Sequence, residues 1–480
     1  MGCAFQNRNM SEDRLHEECG VFGVFSKKRT DLADTCYYGL YALQHRGQES
    51  AGIAITDGNG VEYYKEMGLV AEVFDKDRLS AMKKGRIAVG HVRYSTTGSS
   101  NVVNAQPLVV KYKKGYLALS HNGNLVNANI LRSQLEEEGA MFQTTNDSEV
   151  IASLIAKKAY ETDLLPAIEA TMDKLSGSYA VAIMTEDALI GVRDPNGIRP
   201  LCIGELDGGY VLASETCALD AVGADFIRDV MPGEIVIIDK NGLRTHTVKG
   251  CGKSALCIFE FVYFARTDST MDGISIYQAR YEAGKLLAKA HPAKADLVIG
   301  VPDSALTAAM GYAAESGIPF GDGLVKNRYV GRTFIQPDQS MREKGVQIKL
   351  NALRRNVAGK RIVLIDDSIV RGTTSKKIVE MLRNAGAKEV HMRISSPPVS
   401  SPCYFGIDTP NREQLLGATN TVEGIRKILG ADSLGYLNTQ DLHKTVHGAT
   451  SGFCTGCFTG EYPMEIEMEC VGKDLLERVK

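Results

Sequence analysis

The chain has no long hydrophobic run. Its most apolar stretches, such as LVIGV and RIVLI, fall far short of the roughly 20 residues that a membrane-spanning helix needs, which excludes a helical membrane span. Charge of either sign is not in excess either. The 55 Lys and Arg residues face 58 Asp and Glu residues, for a net charge of -3, and the two signs are mixed along the chain. No polybasic face remains to neutralise a phosphate backbone, so nucleic acid is not an expected partner. The leader MGCAFQNRNMSEDRLHEE lacks the apolar core of a signal peptide, and Gln6 breaks the N-myristoylation pattern. Low-complexity tracts and internal repeats are missing as well. These absences predict a cytoplasmic protein whose 11 cysteines are thiols or metal ligands rather than a disulfide framework.

What is there divides in two. A chain of 480 residues with 44% hydrophobic content has material for two cores. From Cys19 to about residue 250 the pattern is period two, in VFGVF, AGIAIT, RIAVGHVRYST, YLALSHNGN, YAVAIM, YVLAS and EIVIID, separated by turn pairs. Helical patterns interrupt it around 31–43, 148–160 and 164–175. The expectation is an α+β domain of stacked antiparallel sheets between helices over 19–250, after a leader of 1–18. Beyond a boundary placed at 245–260, short wholly apolar runs are each followed by a loop and a helix. That grammar predicts an α/β domain with a mainly parallel sheet over 251–480.

In RIVLIDDSIVRGTTS the strand delivers Asp366 and Asp367 to its carboxyl end, where ligands bind in open α/β sheets. Gly372, Thr373 and Thr374 follow on the turn into a helix, whose free amides suit a phosphate. The two carboxylates suit ribose hydroxyls or Mg²⁺. Alone, the stretch also reads as a capped helix after an acidic turn. At its full length it resembles the signature loop of the type I phosphoribosyltransferases, which bind 5-phosphoribosyl 1-pyrophosphate. The resemblance implies that Asp366 and Asp367 hold the ribose and help place one Mg²⁺, and that Arg371, Gly372, Thr373 and Thr374 take the 5-phosphate. It also implies that the loop VPDSA carries the pyrophosphate, with Asp303 in contact and Ser304 near the metal. The basic stretch KNRYVGRTFIQPDQSMREKG, with Lys326 and Arg332, is then expected to be a closing lid that excludes water from the sugar carbon.

Cys19 opens the folded part of the chain. As a small apolar residue it could simply begin a buried strand. At a freed terminus, however, a cysteine carries its own α-amino group, whose pKa near ~8 suits it to take the thiol proton. Cleavage after Glu18 would make Cys19 that terminus. CGVFGV, LQHRGQESAGI, GHVRYST, HNGNLVN and TNDSEV together resemble the class II, N-terminal-nucleophile glutamine amidotransferases. The resemblance implies that Cys19 is the nucleophile, that Arg93 holds the glutamine carboxylate and Asp147 its α-amino group, and that Asn122 with the Gly123 amide forms the oxyanion hole. Asn122-Gly123 also reads as a hairpin turn, and Arg93 as a surface ion pair.

The two halves in one chain resemble the glutamine phosphoribosylpyrophosphate amidotransferase family. That implies ammonia made from glutamine and passed internally to the ribosyl carbon, purine nucleotides as feedback inhibitors and a homotetramer. Other class II amidotransferases share the first half but lack IDDSIVRGTT. A catalytically silent regulator is the remaining alternative. Cys454 and Cys457 have a metal-pair spacing, whereas Cys257 and Cys403 read alone as buried thiols. One branch of the family carries a propeptide and one [4Fe-4S] cluster on cysteines in these contexts, which implies these four as ligands. Zinc on the same four remains the metal alternative.

Overall fold

The structure is a computed structural model and describes residues 19–94, 99–248, 252–327, 350–409 and 411–466. Period-two segments become strands because alternate side chains leave opposite faces. Here most central strands are buried on both faces; Ser50–Thr56 and Gly177–Met184 are buried at every position. A seven-stranded sheet runs in the order Asp225–Asp229, Cys202–Leu206, Gly209–Ala213, Gly20–Thr30, Gly85–Arg93, Ser50–Thr56 and Val61–Met67. A six-stranded sheet runs in the order Gly242–Thr247, Glu234–Asp239, Leu189–Arg193, Gly177–Met184, Gly115–Leu125 and Leu108–Tyr112. The pairings in both sheets are antiparallel.

Between the sheets lies a core that includes Val21, Phe25, Val89, Ala180, Leu189 and Leu212. The outer face of the first sheet is covered by the helix Leu32–Ala42, which sets Cys36 and Leu40 in one cluster with Phe22. The helices Asp147–Lys158 and Leu164–Met172 cover the second sheet through Ile151, Ile155 and Ile168. These three helices are the ones the sequence predicts. Ala128–Glu137 and Thr216–Val222 are further helices that it does not single out, because segments of 10 and 7 residues carry too few turns for their period to stand out.

In the second half, four parallel strands lie in the order Leu297–Gly300, Arg361–Asp366, Glu389–Ile394 and Ser433–Tyr436. Leu297 to Gly300 and Ile362 to Asp366 are wholly buried, as strands covered by helices on both faces must be. The helices Leu306–Ser316 and Thr373–Asn384 leave the carboxyl ends of the first two strands. Two features mark the start of the second half. Residues Leu256–Cys257 pair in parallel with Phe453–Cys454, and a π-helical turn at Glu260–Phe264 follows directly. Such turns are concentrated at functional sites.

Candidate functional site

Cys19 stands one residue before the strand Gly20–Thr30 and is buried. Its neighbour Gly20 pairs with Val92, and Ser50 pairs with Arg93, so Arg93 ends the adjacent strand beside the cysteine. The Cys19 Sγ donates to the Tyr94 carbonyl at 3.3 Å. Burial pushes the thiol up to about 11, while that hydrogen bond and the Arg93 guanidinium pull it down. A thiol in this state is protonated at neutral pH, and it needs a base to become a nucleophile.

Asp147 begins the helix Asp147–Lys158 and also acts on the Cys19 thiol. Its carboxylate accepts the Leu125 N–H at 3.0 Å and lies 3.5 Å from His121 Nδ1. Burial opposes its ionisation, but His121 and the Leu125 and Ser148 amides outweigh that and hold it below the usual carboxylate range. Asn122 and Gly123 lie on the strand Gly115–Leu125 of the second sheet. They are not a hairpin turn. Asn122 is 1% exposed, and its Nδ2 has no hydrogen-bond partner among the described residues. Gly123 sits at φ +147°, where a Cβ would stand 2.1 Å from the Ser178 carbonyl oxygen; only glycine fits.

At the second centre Asp366 is the last residue of its strand, and Asp366 and Asp367 are 3% and 2% exposed. The Ser304 hydroxyl donates to Asp367. Thus the VPDSA loop and the acidic loop meet. Lys326 Nζ donates to Asp303 at 2.8 Å on the surface of the same loop. Gly372 caps the helix Thr373–Asn384 at φ +79°, and a Cβ there would meet Leu416 at 2.3 Å. Thr373 and Thr374 open that helix, and Arg371 donates to Gln414 at 3.2 and 3.3 Å. Arg332 lies outside the described residues.

Cys257, Cys403, Cys454 and Cys457 come together although they span the whole second half. Cys257 faces Cys454 across the short parallel pairing. Cys403 and Cys454 both act on the Cys257 and Cys457 thiols. Burial raises all three of Cys257, Cys454 and Cys457, Cys454 to about 11. Among the described residues no three His, Cys, Asp or Glu side chains are disposed to hold a metal ion. The Cys403 sulfur accepts the Phe405 N–H at 3.3 Å.

The structure also assembles charged residues that the sequence reasoning missed. Arg46 Nε donates to the Cys19 carbonyl at 3.3 Å. Its other nitrogens reach Glu215, in the first half, and Glu260, in the second, the latter bidentately at 3.0 and 2.6 Å. Burial alone would lower the pKa of Arg46, but Glu260 and Glu215 raise it. His45 joins Glu215 at 2.7 Å. His45 and Arg46 lie in LQHRGQESAGI, but the partners stand 169 and 214 residues further on.

The glutamine amidotransferase domain family matches residues 91–221, and the phosphoribosyl transferase domain family matches residues 275–395. The chain is 52% identical to the amidophosphoribosyltransferase of Archaeoglobus fulgidus, over 94% of this chain and 100% of that one. It is 49% identical to that of Bacillus subtilis, over 97% and 98%. Among solved structures, the B. subtilis glutamine phosphoribosylpyrophosphate amidotransferase complexed with ADP and GMP superposes with a TM-score of 0.88 at 49% identity, covering 94% of this chain and 99% of that chain. A structure described as the allosteric regulatory enzyme of purine biosynthesis gives 0.90 at 49% identity, covering 96% and 99%.

Proposed function

The chain belongs to the amidophosphoribosyltransferase family, and on that premise we propose how its residues divide the work. The reaction converts glutamine, water and 5-phosphoribosyl 1-pyrophosphate into 5-phosphoribosylamine, glutamate and pyrophosphate, in purine biosynthesis. Removal of residues 1–18 frees the α-amino group of Cys19, which takes the thiol proton. The thiolate attacks the amide carbon of glutamine. Arg93 holds the substrate carboxylate as a fork of parallel hydrogen bonds, and Asp147, kept ionised by its surroundings, holds the ammonium. The developing oxyanion is received by Asn122 Nδ2 and the Gly123 amide. Ammonia departs, and water releases glutamate from the thioester.

One observation carries this reading. A buried amide N–H with no acceptor costs about 1–3 kcal/mol, and Asn122 keeps one, as a donor awaiting an incoming oxygen does.

Ammonia then attacks the anomeric carbon as pyrophosphate leaves. Asp366 and Asp367 bind the ribose hydroxyls, Arg371, Gly372, Thr373 and Thr374 the 5-phosphate, and Asp303 and Lys326 the pyrophosphate. Arg332 is assigned to the closing lid. Mg²⁺ usually keeps waters and substrate phosphates among its ligands. Two buried carboxylates beside Ser304 therefore fit an ion that arrives with the substrate. When bound, it neutralises the leaving pyrophosphate.

Two buried cysteines, Cys257 and Cys457, and two half-buried ones, Cys403 and Cys454, whose thiols influence one another, supply the four thiolates that a [4Fe-4S] cluster needs. The N–H···S bond at Cys403 is of the kind that tunes such clusters. When bound, the cluster ties the segments at Cys257, Cys403 and Cys454–Cys457 together. The domain division at residue 250, purine nucleotide inhibition, a homotetramer and a cytoplasmic location complete the proposal. No helix among the described residues is long and apolar enough to cross a membrane.

The test is intact-mass and N-terminal analysis of the purified protein, with the glutaminase rate of Cys19→Ser. An active enzyme beginning at Cys19 and an inactive variant are expected. Full activity in a chain that retains Met1 overturns the assignment.

A further inference from the structure

The nucleophile belongs to the first half of the chain, yet the ion pair beneath it is completed by the second. Arg46 is the hinge of this arrangement. Its Nε–H holds the Cys19 carbonyl, and its two terminal nitrogens are clamped by the Glu260 carboxylate. Glu260 is 0% exposed and opens the π-helical turn Glu260–Phe264. That turn is itself held by Arg280, which donates to the Phe261 carbonyl at 2.9 Å and the Ala265 carbonyl at 2.8 Å.

Across the Glu260 carboxylate, 3.9 Å away, lies Arg199. Arg199 Nε donates to the Phe405 carbonyl at 2.8 Å. The same carbonyl accepts the Ser178 hydroxyl at 2.7 Å, and Asn124 Nδ2 donates to the Tyr404 carbonyl at 2.9 Å. Gly406 packs behind Gly123, so closely that a Cβ on it would stand 3.2 Å from the Gly123 carbonyl carbon. One end of the network therefore touches the nucleophile, and the other backs the strand bearing Asn122 and Gly123.

We propose that Glu260 is a positioning residue for the glutaminase reaction, acting across the domain boundary through Arg46 to hold the Cys19 backbone and through Arg199 to brace the oxyanion strand. This rests on the glutaminase reading of Cys19. Glu260 touches neither glutamine nor the reacting atoms. It fixes where the nucleophile stands relative to the oxyanion donors, a relation in which a displacement of about 1 Å costs on the order of 100-fold in rate. Glutamine itself is bound by Arg93 and Asp147, so Glu260 governs kcat rather than KM.

The experiment uses full-length protein as isolated, with Glu260→Gln and Glu260→Asp. Four quantities are measured: kcat and KM for glutamine, the rate with ammonia replacing glutamine, the alkylation rate of Cys19 by a glutamine-like diazoketone, and the melting temperature. Glu260→Gln is expected to lower the glutamine kcat about 100-fold with KM changed less than about threefold, and to slow alkylation in step. The ammonia-dependent rate should stay within about twofold, because the ribosyl site is untouched. Glu260→Asp keeps the charge but shortens the reach, and should lose about tenfold. Equal losses with glutamine and ammonia, an unchanged glutamine kcat in a folded variant, or failure of both variants to fold would overturn the proposal. Absence of Cys19 alkylation in the unaltered protein would instead remove the glutaminase reading itself.

Discussion

Cys257 and Cys454 stand opposite one another in a two-residue parallel pairing, although they come from the two ends of the second half. Neither segment has enough strand to be stable by itself. If four iron–thiolate bonds supply what the pairing lacks, the purified protein is brown and contains iron and acid-labile sulfide. Cys454→Ser is expected to lose the colour and to melt several degrees lower. A colourless, equally stable unaltered protein, with zinc found by metal analysis, would contradict this.

Asn122 offers the cleanest test of the first centre. Its Nδ2 has no partner to lose among the described residues, so Asn122→Ala is expected to leave folding almost unchanged. The glutaminase kcat should fall on the order of 100-fold to 1000-fold, equivalent to about 3–4 kcal/mol of transition-state stabilisation. Activity with ammonia should persist.

Asp147 supplies a pH signature. Its carboxyl is held below the ordinary value of 3.8, so it contributes stability that is present above pH ~4 and lost as pH falls through the lowered folded-state value. Acid unfolding of Asp147→Asn should accordingly be less steep below pH ~4 than that of the unaltered chain. At neutral pH the same variant should raise KM for glutamine by more than about tenfold, because the substrate ammonium loses its counter-charge.

The Cys19 thiol, raised by burial to about 11 while its nitrogen is still an amide, should react slowly with iodoacetamide until the pH approaches that value. Maturation to a free terminus should accelerate labelling near pH 8, where the α-amino group is partly unprotonated. Labelling rates of Glu18→Pro, designed to block cleavage, measured against the matured protein, check this. Equal rates at pH 8 would sink the self-base assignment.

Asp366 and Asp367 are adjacent carboxylates in a buried turn. Asp367→Asn removes like-charge repulsion, so melting temperature should hold or rise. KM for 5-phosphoribosyl 1-pyrophosphate should increase more than about tenfold. A fluorescence titration with the Mg²⁺-bound substrate reads the same loss as weaker binding.

Local signals made much of this molecule legible. Asp366 could be placed at a strand end because Ile362 to Ile365 are continuously apolar up to its carboxylate and the observed strand Arg361–Asp366 closes there. The helices Leu32–Ala42, Asp147–Lys158 and Leu164–Met172 were readable from their period. Asn122-Gly123, by contrast, has the sequence of a hairpin turn and the structure of a strand interior, since register against Ala180 and Tyr179 overrides a dipeptide's preference. Cys403 was readable only by resemblance, having no ligand neighbour in its own segment.

Residue type and order alone determined the two halves and their sheet types, because strand period and glycine turns act over a few residues, whereas the chemistry expected of each centre was legible through resemblance. Only the tertiary structure decided that Arg46 is clamped between Glu215 and Glu260, that Ser304 meets Asp367, and that Tyr404 to Gly406 brace the strand of Gly123. A buried charge needs a counter-charge within a few ångströms, and its distance along the chain carries no information about which one it finds.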